Sequence, residues 1–134
     1  MKALIEMAMA LPAERRLVIL GQAGDRDDES IRDLARIAMR MKPDRVVIKE
    51  MLQHLRGRAA GDVPKILTEE LARLGAAKDR VLYAPSELDA VRESLRWSRP
   101  GDLLLLLLHA EREAVLALLS RLQAGGWLPT QPVA

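Results

Sequence analysis

The chain has 134 residues, with 21 Lys and Arg against 19 Asp and Glu, three aromatic residues (Tyr83, Trp97, Trp127) and no cysteine. The missing thiols exclude disulfides, thiolate zinc sites and cysteine nucleophiles. The small net charge of +2 and the few rings argue against a nucleic-acid platform, and the longest apolar run, Leu103 to Leu108, is far below the roughly 20 residues that span a bilayer.

One domain is expected at this length, burying roughly 70% of its unfolded surface without staples. At the N-terminus Glu6 interrupts the apolar region, and Leu4, Ile5, Ala8 and Leu11 recur at helical spacing. This predicts an amphipathic helix over 2–11, closed by Pro12, and not a signal peptide. A cysteine-free chain of this kind suits the cytoplasm.

Residues 16–20 predict a first strand. Gly21-Gln22-Ala23-Gly24-Asp25-Arg26-Asp27-Asp28 follows it as a Gly-rich, charged turn. From Asp28 to Met41, Ile31, Leu34, Ala35, Ala38 and Met39 mark a helix, with Asp27, Asp28 and Glu29 suited to its N-terminal dipole. The β-branched run in Asp44-Arg45-Val46-Val47-Ile48-Lys49 predicts a second strand. A polar, basic stretch over 50–60 follows, and then a helix over Asp62–Leu74, with Pro64 in its first turn and Gly75 at its end.

Arg80-Val81-Leu82-Tyr83 predicts a third strand. Ser86-Glu87-Leu88-Asp89 opens another helix with an approximate capping box. After the Pro100-Gly101 turn, Asp102 to Leu108 predicts a strand buried on both faces. Glu111 to Ala124 predicts the last helix, stopped by Gly125-Gly126, and 127–134 reads as a tail or edge segment. The alternation predicts an α/β, Rossmann-like three-layer sandwich: a mostly parallel sheet of four or more strands with helices on both faces.

In such a fold the carboxyl edge of the sheet carries the site. The turn at 21–28 is neither a P-loop nor a GxGxxG turn, and its acidic helix start disfavours a bound anion. Arg26 is able to reach a phosphate or carboxylate, and Asp25 or Asp27 an amine or hydrated metal; otherwise the turn is a capped helix with a solvated Asp–Arg pair. The second strand delivers Lys49, Glu50, Arg56 and Arg58, whose guanidinium groups suit carboxylate or phosphate recognition, with Gly57 permitting close backbone approach. The fourth delivers His109 and Glu111. His54 has less support, and Met39, Met41 and Met51 read as filling. No metal-ligand cluster or nucleophile–base pair is visible, which disfavours a stand-alone enzyme.

Gly24-Asp25-Arg26-Asp27-Asp28-Glu29 with Ile31-Arg32-Asp33-Leu34 resembles the opening of the C-terminal domain of Mur-type ligases. The likeness is nearer to cyanophycin synthetase and its relatives, and it continues in Asp44 to Glu50, in Leu55-Arg56-Gly57-Arg58 and in Gly61-Asp62-Val63. It spans roughly 2–122, so 1–126 is expected to be that domain and 127–134 a tail. The family's Gly-Lys-Thr/Ser nucleotide loop and its hinge motif do not occur in these 134 residues. The resemblance therefore implies one domain of a larger ligase.

Such a ligase uses ATP and Mg2+ to phosphorylate a carboxylate, which an amino-acid amine then attacks to give an amide. The resemblance implies that Gly24, Asp25, Arg26 and Asp27 form a closing loop over nucleotide held by a central ATPase domain, with Arg26 and Asp25 nearest the chemistry. It also implies that Lys49, Glu50, Arg56, Arg58, His109 and Glu111 serve the amino-acid or peptide acceptor. No cofactor is expected on this domain alone, and neither nucleic acid nor a membrane is expected as a partner. Mur ligases proper carry a Gly-Lys-Gly-His-Glu-like loop where this chain reads Leu108-His109-Ala110-Glu111. The alternative reading is a free-standing small-molecule or interaction module that kept the fold without the ligase.

Overall fold

The computed structural model describes residues 2–133. Nine elements follow the expected order: α1 (Lys2–Ala10), β1 (Arg16–Leu20), α2 (Asp28–Met39), β2 (Arg45–Lys49), α3 (Asp62–Arg73), β3 (Val81–Ala84), α4 (Glu87–Trp97), β4 (Leu103–Leu105) and α5 (Arg112–Ala124). The four strands form one parallel sheet in the order β3-β2-β1-β4. Register runs from Leu17 beside Arg45 to Leu20 beside Ile48, and from Val46 beside Val81 to Lys49 beside Ala84.

The strand order explains the layers. A right-handed crossover puts its helix on one face while the chain steps one way, and on the other face once the chain reverses. The chain steps from β1 to β2 to β3 and then returns past β1 to β4. Accordingly α1, α2 and α3 pack on Val18, Leu20, Val46 and Ile48, while α4 and α5 pack on Leu17, Ile19, Val47 and Ala84. Alternation along a strand sends neighbouring residues to opposite faces, so after Arg16 β1 is apolar and wholly buried from Leu17 to Leu20. Each such Leu or Ile contributes about 1.5–3 kcal/mol by leaving water.

Helix α2 begins where the sequence acids suggest. Asp27, in an extended conformation, accepts a hydrogen bond from the Ser30 N–H at 2.7 Å. The N-cap of α4 is Ser86, which accepts from the Asp89 N–H at 3.1 Å, while its hydroxyl donates to Asp89 Oδ2. Helices α2 and α3 are joined by buried Glu70, bonded to Arg36 at 2.8 Å and to Arg73 at 2.9 Å. Hydrogen bonding by Arg73, then Arg36, holds the Glu70 carboxyl down to about 2 against its burial. At the amino edge Arg15 grips Asp102 through two bonds and lies 3.7 Å from the centroid of the Trp97 ring. One guanidinium thus ties the starts of β1 and β4 to the end of α4.

The structure corrects the reading of one segment. The leucines from 102 to 108 do alternate between the two apolar layers, but only Leu103–Leu105 is strand, and all six leucines are half-buried. Their strand lies at the sheet edge beside β1, so its outer side lacks a neighbour. Residues 127–133 form neither helix nor strand. The Trp127 N–H donates to Leu122 O at 2.8 Å, and Trp127 and Val133 pack back on the α4–α5 layer. Among the described residues, no helix is long and apolar enough to cross a membrane.

Candidate functional site

The reversal from β3 back to β4 creates a switch point between the carboxyl ends of β1 and β4. Parallel α/β sheets place ligands in the crevice at such a point, because the two flanking loops diverge there. A cleft of about 430 Å³ lies at this position, lined by Gln22 and Ala23 after β1, Met51 and His54 after β2, and His109 and Arg112 after β4. Its polar lining offers an amide, two imidazoles and a guanidinium, and no carboxylate. That donor set suits an anionic group. A second cleft of about 390 Å³ opens at the opposite, amino edge beside Lys42 and Arg80, where no loop following a strand contributes.

The turn at 21–28 is fixed from below. A Cβ on Gly21 would come within 2.6 Å of the Lys49 side chain, and one on Gly24 would overlap the Leu55 carbonyl. The Gly24 N–H donates to His54 O at 2.9 Å. Arg58 completes the clamp: it donates to Gly24 O and Arg26 O, both at 2.9 Å, and to Asp28 at 2.7 Å. Asp27 is the α2 cap. The turn therefore presents Asp25 and Arg26 outward; both are exposed, and among the described residues the Arg26 guanidinium makes no ion pair. A shallow hollow beside it is lined by Arg26, Gln22, Ser30 and Asp33.

The residues after β2 divide. Lys49 is 1% exposed, and its ammonium donates to Glu87 and to Leu107 O at 2.5 Å and lies 2.9 Å from His109 Nδ1. Burial pushes the Lys49 amine down, and Glu87 opposes that push. Glu50 is also buried and accepts from the Gly61 N–H at 2.9 Å. A single 3₁₀ turn at Leu52–His54 interrupts the polar stretch. Arg56 is exposed with φ of 51° beside Gly57 at 92°. A Cβ on Gly57 would meet nothing within 4 Å, so within the chain this glycine serves the left-handed turn.

After β4 the turn is organised by Glu87, which the sequence reading treated only as part of a helix start. Its buried carboxylate accepts from the N–H groups of His109 at 2.6 Å, Ala110 at 3.2 Å and Glu111 at 2.8 Å, besides Lys49. Burial pushes the Glu87 carboxyl up, but these bonds outweigh it and hold it below its ordinary value. Glu111 reciprocates by accepting from the Leu88 N–H at 3.2 Å. Burial, together with Lys49 and His54, holds the His109 imidazole below 6.5 against Glu87.

The structure thus gathers His109 and His54 in the cleft, and leaves Asp25, Arg26 and Arg56 exposed at the same edge. It engages Lys49, Glu50, Arg58 and Glu111 in the scaffold beneath, where the sequence reading had expected acceptor contacts. Gln22 and Arg112 line the cleft and were not foreseen. Arg112 carried a local signal, since it opens α5 three residues after His109.

The start of α2 is filled by Asp27, Asp28 and Glu29, whose charge opposes a phosphate. Among the described residues, no group of three or more His, Asp or Glu side chains is placed to hold a metal ion. The chain matches the family model described as Mur ligase, glutamate ligase domain, over residues 1–107. No curated protein matches it. The matched span contains the turns after β1 and β2 and ends just before the turn that carries His109.

Proposed function

The chain belongs to the family of the Mur ligase, glutamate ligase domain, and on that premise we propose that it is the C-terminal substrate-binding and lid domain of an amide-forming ligase of the cyanophycin synthetase-like kind. Full-length members of the family use ATP and Mg2+ and carry a central catalytic domain. The lid closes over nucleotide held by that domain, and the cleft receives an amino acid or peptide acceptor. The cytoplasm is the proposed location.

One observation carries the reading: the cleft at the carboxyl edge presents a guanidinium, two imidazoles and an amide, with no carboxylate in its lining. Arg26 projects from a clamped turn with its charge unpaired among the described residues, so it is available to an anionic group on a ligand bound elsewhere. His109, Arg112 and Gln22 suit the carboxylate of an acceptor, and Arg56 stands beside them at the rim. Asp25, the exposed acid of the turn, suits the acceptor's amine.

Isothermal titration of ATP into this chain alone tests the division of labour. Weak or undetectable heat is expected, because the nucleotide site belongs to the central domain. Micromolar affinity would show a complete nucleotide site here and would overturn the reading.

A further inference from the structure

We propose that Lys49 and Glu87 are positioning residues that present His109 to the cleft as a fixed Nε2–H donor. The inference deepens the reading of the cleft as the acceptor site, and it rests on hydrogen-bond chemistry alone. An ammonium has three N–H donors and no acceptor. Those of Lys49 meet Glu87, Leu107 O and His109 Nδ1. The imidazole nitrogen facing Lys49 must therefore be bare, and the ring proton sits on Nε2, away from the buried pair.

Glu87 makes this arrangement rigid. It binds the main chain of His109, Ala110 and Glu111 with the same carboxylate that receives Lys49, so the turn and the ammonium share one anchor. The charged and titratable groups around the ring are Lys49 from β2, Glu87 from α4, His54 from the turn after β2, and Glu111 and Arg112 beside it in sequence. Protonation of Nδ1 would set two cationic donors 2.9 Å apart, so the ring stays neutral. A neutral ring in one tautomer offers the cleft one N–H beside Arg112, a pairing that suits a carboxylate or phosphoryl oxygen.

Long-range 1H–15N correlation spectra of the chain at neutral pH test this, with a His54→Gln variant assigning the two rings. The expected spectrum has His109 wholly in the Nε2–H form. In Lys49→Met, His109 is expected to become a mixture of tautomers with a raised titration midpoint, while His54 keeps its own pattern. A Lys49→Met/Glu87→Gln double variant removes both buried charges together and carries the same expectation where the single variant fails to fold. An Nδ1–H or doubly protonated ring in the wild type, or an unchanged His109 tautomer in a folded variant, would overturn the proposal. A cleft that binds no acceptor would leave these spectra as expected, so the two readings fail separately.

Discussion

Glu87→Ala is expected to cost about 3–5 kcal/mol, the loss typical of breaking a buried ion pair from one side. The substitution leaves the Lys49 ammonium buried with no counter-charge and frees the three main-chain N–H groups at 109–111. Against a total stability of about 5–15 kcal/mol, the loss brings the variant near the unfolding threshold. Glu87→Gln keeps an acceptor for Lys49 and is expected to fall between the two. Urea unfolding measures all three proteins, and a loss below about 1 kcal/mol for the alanine variant would show that Glu87 is not the anchor described.

The pH profile gives the same test a direction. The folded carboxyl of Glu87 lies below its ordinary 4.5, so its stabilisation is present above 4.5 and is lost as pH falls through the lower folded value. His109 adds to the acid side. Its folded pKa lies below 6.5, so beneath 6.5 the unfolded chain takes up a proton that the folded chain refuses. Wild-type stability should therefore fall in two stages on acidification, and the lower one should be smaller in Glu87→Ala, where Glu70 and Asp102 still contribute to it. In that variant Lys49 is buried without the opposing carboxylate, so stability should instead rise as pH climbs toward 10.5.

Gly24→Ala is expected to cost about 3 kcal/mol, at the upper end for overpacking, because the new Cβ meets backbone and not a side chain that can turn aside. The Leu55 carbonyl carbon would lie 2.8 Å away and Arg58 Cδ 3.2 Å away. Retreat is blocked by the Gly24–His54 main-chain bond and by the Arg58 clamp, so relief requires the turns after β1 and β2 to separate. Hydrogen exchange should then quicken in both turns. A variant within about 0.5 kcal/mol of wild type, with unchanged exchange, would refute the close approach as a constraint.

The fold was legible because its signals are local. The 3.6-residue spacing of Ile31, Ala35 and Ala38 and the run from Val46 to Ile48 each identify their element within one segment. The length of β4 was not, since six leucines look alike whether a strand is central or at an edge, and only the sheet order decides. The site was legible as a place and less so as a set of contacts. Lys49, Glu50 and Arg58 do end up at the carboxyl edge, but partners distant in sequence determine whether each faces ligand or scaffold. Glu87 gave no local sign of burial, because an acid at the start of a helix is ordinarily solvated. The one hint lay elsewhere, in a lysine that closes an apolar strand and requires a counter-charge.

The lid reading rests on Arg26, an exposed cation on a clamped turn, meeting an anionic group that another domain holds. The most direct measurement is the rate of ATP-dependent amide formation by the intact ligase carrying Arg26→Ala. The rate is expected to fall by about tenfold or more, equivalent to at least about 1.4 kcal/mol at the transition state, with the unfolding midpoint unchanged. An unchanged rate in a folded, ATP-binding variant would contradict the account.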